Sequence, residues 1–318
     1  MDSFAPIVLF TYSRLKNTQE TIDCLLRNVE AASSDLFVFS DAPKNEKAAV
    51  AVAAVREYLH SVTGFRSVRI IERESNFGLV KNITSGVSEV VNRYGRVIVL
   101  EDDHSVAPYF LKYMNEALAC FEKREDIACI HGYVYPHKNK LPEAFLIKGA
   151  DCWGWGTWKR AWDLLDMDAS RLYKEIVRQG RQKEFEFNGS YPYMQMLKEQ
   201  VDGAARSWAI CWYASTFLLN RYTVYPDESL VCLNSLCDEG EHSSPSRGLM
   251  RYAVVPGTHP VDWDKASLQD ESQDGRKEFE LFFRSLKSWK ERLAGLFLDS
   301  ERIAVLKKNC NFVKLTKK

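Results

Sequence analysis

Arg96-Val-Ile-Val-Leu-Glu-Asp-Asp-His104 is the stretch on which the fold of this chain turns. Val97-Ile98-Val99-Leu100 is an unbroken apolar run, mostly β-branched and too short for a helix. Such a run reads as a strand buried on both faces, the signature of a parallel sheet covered by helices. Three acids follow at once, so their carboxylates project from the carboxyl end of that strand. Adjacent carboxylates repel each other, and the cluster is costly unless a cation or hydrogen-bond donors face it. Hard divalent ions such as Mg²⁺ or Mn²⁺ take oxygen ligands, typically one or two carboxylates together with substrate phosphates. The alternative is a solvated acidic turn; alone the triplet is a moderately specific metal signal, and the segments around it raise its weight.

Working outward, three earlier apolar runs lie at 6–10, 36–40 and 68–71, followed by helical patterns near 17–28, 46–59 and 80–94. Four strand–helix alternations in a hundred residues predict a Rossmann-like α/β unit, a mostly parallel sheet with helices on both faces. Ligands of such sheets sit beyond the carboxyl ends of the strands. The segments leaving those ends are 11–14, 41–44, 76–79 and 101–104, all polar or glycine-bearing. The second half opens with a helix near 108–121 and a strand at 127–130. It continues with Asp151-Cys-Trp-Gly-Trp-Gly-Thr-Trp158, a polar helical stretch near 169–200, and Ser207-Trp-Ala-Ile-Cys-Trp-Tyr213. From about 278 to 297, apolar residues at spacings of three and four oppose Lys and Arg, which predicts an amphipathic helix. That helix is expected to pack on the core. The alternative is a docking face for a membrane surface or another subunit, hinted at by the basic tail Lys307-Lys308, Lys314 and Lys317-Lys318.

The chain has 318 residues, 46% hydrophobic, enough for one large domain or one with an appendage. Lys+Arg and Asp+Glu are both 43, so no global charge favours nucleic acid or an anionic membrane. Eight cysteines are scattered without a CxxC pair, a pattern of buried thiols rather than a disulfide framework or zinc site. No segment approaches the roughly 18–20 apolar residues of a spanning helix, and the sequence reaches its first apolar strand within a few residues, without a basic region or a long hydrophobic stretch. A cytoplasmic protein is expected, in peripheral contact with a membrane if the C-terminal helix docks there.

With these segments in order, the chain resembles GT-A glycosyltransferases, especially bacterial relatives of N-acetylglucosaminyltransferase I. The matching pieces are Pro6-Ile-Val-Leu-Phe-Thr-Tyr-Ser-Arg14, Phe39-Ser-Asp41, Glu72-Arg73 with Asn76-Phe-Gly-Leu79, and Val99-Leu-Glu-Asp-Asp-His-Ser-Val-Ala-Pro-Tyr-Phe110. The Trp-Gly-Trp-Gly segment and Glu-Gly-Glu-His242 fit more loosely. The resemblance implies a glycosyltransferase domain over 1–245, with a nucleotide-binding half (1–105) and an acceptor-side half (106–245), then a C-terminal helical extension over 246–318. It implies transfer of a hexosyl or N-acetylhexosaminyl group from a nucleotide diphosphate sugar, a UDP-sugar, to a glycan or glycolipid hydroxyl, with inversion, in surface polysaccharide or glycan synthesis. Carried over by position, Thr11, Tyr12, Arg14, Asp41, Arg73, Asn76, Gly78, Leu79, Glu101 and Asp102 hold the donor. Asp41 is placed to accept from the uracil ring, and Glu101 and Asp102 to face ribose and donor sugar. Asp103 is implied as ligand of Mn²⁺ or Mg²⁺, with His242 as a late histidine near the metal.

A metal held by a carboxylate would orient the diphosphate and neutralise the charge it gains as it leaves. An inverting route also needs a base for the acceptor hydroxyl. The resemblance places an acid near a tryptophan-containing segment that here reads Arg206-Ser-Trp-Ala-Ile-Cys-Trp212 and contains none. Asp202 and Asp151 remain as equal candidates. Trp153 and Trp155 are expected either to stack on a sugar ring or to pack in the core. Two other classes compete. A nucleotidyltransferase would show a Gly-rich phosphate loop after strand one, where this chain has Phe-Thr-Tyr-Ser-Arg. A nucleotide-sugar-binding module without turnover would account for the acid-free segment.

Overall fold

A computed structural model describes residues 4–233, 257 and 259–286 of the chain. Its first half follows the alternation in the sequence: β1 (Ile7–Thr11), α1 (Leu15–Leu26), β2 (Asp35–Ser40), α2 (Glu46–Leu59), β3 (Ser67–Glu72), α3 (Gly78–Tyr94) and β4 (Arg96–Glu101). β1 pairs in parallel with β2 and β4, and β2 with β3. Val97, Ile98, Val99 and Leu100 are at most 1% exposed, so β4 is buried on both faces, as its composition requires. Each such side chain contributes about 1.5–3 kcal/mol on burial.

The second half departs from strict alternation. β5 (His104–Val106) leaves the acidic turn and pairs with β10 (Val231–Leu233), as a separate antiparallel ribbon among the described residues. After α4 (Phe110–Cys120) come β6 (Ile127–His131), β7 (Ala144–Lys148) and β8 (Trp155–Trp158). The polar 169–200 stretch is three helices, α6 (Ala169–Arg178), α7 (Gln182–Phe185) and α8 (Tyr193–Val201), following a single turn, α5 (Lys159–Trp162). Then α9 (Trp208–Leu218), β9 (Tyr222–Pro226), β11 (Ser267–Glu271) and α10 (Gln273–Leu286) complete the described elements. The large sheet has nine strands, in the order β11-β7-β9-β6-β8-β4-β1-β2-β3. β8 runs antiparallel to both β4 and β6, so β6 is again parallel to β4, and β9 pairs parallel to β6. The ends of β1, β2, β3, β4, β6 and β9 and the start of β8 therefore share one rim.

Two features of the second half were not legible as patterns. Ser207-Trp-Ala-Ile-Cys-Trp-Tyr213 begins α9, whose Trp208, Cys211 and Trp212 are buried against Trp155 and Trp162 in a tryptophan cluster. Its lack of acids follows from that burial. The amphipathic helix at the C-terminus is described as α10. Its Phe279, Phe282 and Phe283 are buried, with rings against Tyr135. That apolar face is filled by the core and is not free for docking; residues 287–297 of the predicted helix lie outside the described residues.

Candidate functional site

The acidic turn is the centre of the rim. Asp102 is 3% exposed; its Oδ2 accepts the Tyr12 backbone N–H at 3.3 Å, and its carbonyl accepts Thr21 Oγ1 at 3.1 Å. Arg14, in the segment leaving β1, reaches both neighbouring acids. Its Nη2 donates to Asp102 Oδ1 and its Nη1 to Asp103 Oδ2 at 3.0 Å. Burial works against the guanidinium's charge, but the paired carboxylates outweigh it and raise its pKa. Burial pushes Glu101 up to about 8, with Asp103 and Asp102 adding to the rise and Arg14 opposing it. Burial also raises Asp102, again against the pull of Arg14. One arginine thus faces three acids, one of them held largely protonated at neutral pH. The group is short of positive charge and offers hard oxygen donors, so it fits a divalent ion.

Behind the turn stands His104, 1% exposed, whose Nδ1 accepts the Glu101 backbone N–H at 3.2 Å. Burial lowers its pKa to about 4, so the ring is neutral. Among the described residues, three ligand atoms from His, Asp and Glu also gather at Glu143, Asp227 and His259, all within 4.8 Å of one another. That group shares no residue with the triplet. Glu143 already accepts the Asp262 N–H at 3.0 Å and lies 3.8 Å from Lys265 Nζ. His242 lies outside the described residues.

Asp41, after β2, is 6% exposed and engaged on all sides. Oδ1 accepts from the N–H groups of Ala42 (2.9 Å) and Phe77 (2.8 Å), and Oδ2 from Gly78 N–H (2.9 Å) and Asn76 Nδ2 (3.2 Å). These four donors use the acceptor capacity of a carboxylate. Asp41 caps α3, whose N-cap residue Phe77 has no side-chain acceptor. Asn76 also donates to the Ala42 carbonyl at 2.6 Å, tying the β2 and β3 loops together. Arg73 donates to Asn82 and Ser85 and lies over the rings of Phe39 and Phe77. Leu79 is 59% exposed. Thr11 is buried at the end of β1, and among the described residues its Oγ1 has no hydrogen-bond partner.

On the other flank, the segment preceding β8 brings Asp151 and Trp153 to the rim. Burial raises the Cys152 thiol's pKa, and the charges of Asp151 and Glu101 add to the rise. Asp151 Oδ2 accepts Tyr135 OH at 2.7 Å and Tyr225 OH at 3.4 Å, and Oδ1 accepts the Cys152 N–H at 2.9 Å. His131, fully buried at the end of β6, accepts the Trp153 N–H on Nε2 at 3.0 Å and donates from Nδ1 to the Tyr133 carbonyl at 2.6 Å. Gly154, at φ +58°, takes a conformation that favours glycine, and a Cβ there would come within 2.5 Å of Val231. The turn sends Trp153 and Trp155 different ways. Trp153 stays half-buried beside Tyr133 and Tyr135. Trp155, 1% exposed and stacked on Trp208, is a core residue with no face left for a sugar. Asp202 ends α8 on the surface, its carboxylate paired with Lys198. Sequence reasoning missed His104, His131, Tyr135 and Tyr225; the histidines that close β6 and open β5 beside charged segments were the available signal.

The profile described as Glycosyl transferase family 2 matches residues 7–153, from β1 to Trp153. The match takes in the acidic turn and Asp151, and stops short of Asp202. No curated protein matches the sequence. Among solved structures, the chain is similar to S. aureus TarS, with 14% identity and a TM-score of 0.31 over 47% of this chain and 25% of that one. For TarS 1–349 the figures are 10% and 0.37, over 71% and 59%. The mannosyltransferase PcManGT from Pyrobaculum calidifontis, solved in complex with GDP-Man and Mn²⁺, shows 12% and 0.32 over 42% and 36%. The chain thus spans between 25% and 59% of the length of these structures. The match over 7–153 and the nine-stranded, mostly parallel sheet with its helices fit the GT-A architecture.

Proposed function

We propose that this chain transfers a hexosyl or N-acetylhexosaminyl group from a UDP-sugar to a hydroxyl of a glycan or glycolipid, with inversion at the anomeric carbon. The observation that carries the reading is the turn at the end of β4, where Arg14 bridges Asp102 and Asp103, with Asp151 in the segment that leads into β8, the antiparallel neighbour of β4. Asp103, the more exposed of that pair, would hold Mn²⁺ or Mg²⁺. When bound, the ion supplies charge neutralisation for a departing diphosphate. Arg14 is free to turn from the carboxylates toward donor phosphates, since its side chain is 44% exposed. Thr11 Oγ1, unpartnered among the described residues, would be a second donor contact at the end of β1. Asp41 and Asn76 organise the loops around the base rather than meeting it with a free carboxylate.

Asp151 is the base. The acceptor oxygen attacks the anomeric carbon as that carbon's bond to the diphosphate oxygen breaks. The electron pair leaves with the nucleoside diphosphate, and the hydroxyl proton passes to Asp151. Two tyrosine hydroxyls and a backbone N–H hold that carboxylate, and Oδ1, with one donor, keeps room for the proton. Trp153 offers an aromatic face beside it for a sugar ring. Among the described residues no helix is long and apolar enough to cross a membrane. A place at the cytoplasmic face, in surface polysaccharide assembly, belongs to the same proposal.

Incubation with Mn²⁺ and a panel of nucleotide sugars tests the reading through slow hydrolysis of one donor. Asp103→Ala is expected to abolish metal-dependent nucleotide binding. Asp151→Asn should keep that binding and lower kcat by about 10²–10⁴-fold. Tight donor binding without turnover, with acceptor extracts present, would instead establish a binding module.

A further inference from the structure

We infer that His104 is a positioning residue for Asp103, anchoring the acidic turn through Nδ1 and steering the Asp103 carboxylate through its Nε2–H. The inference rests on the reading of Asp103 as the metal ligand. Glu101 and His104 are the first and last residues of a four-residue turn. Such turns commonly close with a bond from the first carbonyl to the last N–H. Here the closing contact includes the imidazole itself, whose Nδ1 accepts the Glu101 N–H at 3.2 Å. A ring nitrogen that accepts carries no proton, so the neutral ring bears its proton on Nε2. That nitrogen lies 3.8 Å from Asp103 Oδ1, while Asp103 Oδ2 is taken by Arg14 at 3.0 Å. The two oxygens of Asp103 therefore face different donors, one on a half-exposed arginine and one on a fully buried ring.

The ring cannot move away to follow the carboxylate. His104 opens β5 in register with Leu233 of β10, and its side chain is 2% exposed. The 3.8 Å separation is beyond a direct hydrogen bond. A movement of Asp103 by roughly an ångström closes it, as when the carboxylate leaves Arg14 for a cation. A fixed outer donor of this kind selects the ligand's orientation, and losing one typically costs about 10–100-fold in metal affinity. A histidine that only filled the core would be indifferent to which of its nitrogens was preserved, and that difference can be measured.

The test uses the whole chain, without donor, and reads Mn²⁺ binding from the electron paramagnetic resonance of the free ion, alongside the thermal midpoint. His104→Asn keeps an acceptor near the Nδ1 position and nothing at Nε2. It should melt close to the parent and bind Mn²⁺ about 10–100-fold more weakly. His104→Gln carries an amide N–H to the Nε2 position and gives up the bond to the turn. It should melt lower, yet bind Mn²⁺ within about threefold of the parent. Parent-like Mn²⁺ affinity in His104→Asn, or a Gln variant as weak as the Asn one, overturns the assignment. Asp103→Asn separates the two levels. If it weakens Mn²⁺ while His104→Asn does not, the role of His104 alone fails; if Asp103→Asn binds like the parent, the metal reading fails with it.

Discussion

Replacing Asp41 probes whether its carboxylate serves the fold or the nucleotide. Asp41→Ala removes the acceptor of the Phe77 and Gly78 N–H groups at the start of α3, together with bonds from Ala42 N–H and Asn76 Nδ2. Asn76 keeps the Ala42 carbonyl as a partner, so the cost falls mainly on the two helix-end donors. Losing a cap costs about 0.5–2 kcal/mol, and losing a negative charge at a helix N-terminus about 0.3–1 kcal/mol more. Because Asp41 is 6% exposed, water replaces it poorly, and each orphaned donor adds about 1–3 kcal/mol at the upper end. The expected loss is about 2–4 kcal/mol for Asp41→Ala, and about 1–2 kcal/mol for Asp41→Asn, which keeps one oxygen. Urea unfolding measures both as a lower midpoint at unchanged slope. A loss below about 1 kcal/mol for Asp41→Ala, with a collapse in UDP affinity, would refute the capping role and return the carboxylate to the nucleotide.

Asp35, joining the starts of β2 and β3, accepts from Arg66 Nε at 2.9 Å and Ser67 Oγ at 2.6 Å. The Arg66 hydrogen bonds, opposed by burial and aided by Ser67, hold its pKa down at about 2. A lowered carboxylate pKa stabilises above the unfolded value near 3.9, and the gain fades as pH falls toward 2. With Arg66 46% exposed, solvent screening reduces the gain to about 1 kcal/mol. Asp35→Asn should therefore lose about 1 kcal/mol from pH 5 to 8 and about half of that at pH 3; an equal penalty at pH 3 and 7 in urea titrations would sink this account. Phe279→Ala, at a side chain 1% exposed, should destabilise by about 3–5 kcal/mol, and a neutral result would detach α10 from the core. Asp202→Asn breaks only a surface pair with Lys198 and should leave kcat within about twofold of the parent, in contrast to Asp151→Asn. A large loss of kcat at Asp202 would reverse the choice of base.

The first hundred residues were legible because their signals are local. A buried parallel strand must be apolar throughout, and the helices between must repeat at 3.6 residues, so β1 to β4 and α1 to α3 appear in the sequence nearly at their observed bounds. The acidic triplet at the end of β4 follows from the same logic. Tertiary structure decided the rest, since it depends on partners far apart in the chain. Asp41 acts as a cap because a helix beginning 37 residues later brings its N–H groups there. Asp151, the proposed base, reaches the rim because antiparallel β8 returns there beside β4, a pairing that no run of side chains announces. Trp153 and Trp155, two apart, would share a face on a continuous strand, and the positive φ of Gly154 separates them. Residue types and periodicity set the sheet and its acidic end, because those depend on each segment's own burial. Which hydrogen-bond donors meet Asp41, Asp102 and Asp151 was set by segments that folding brings together from far along the chain.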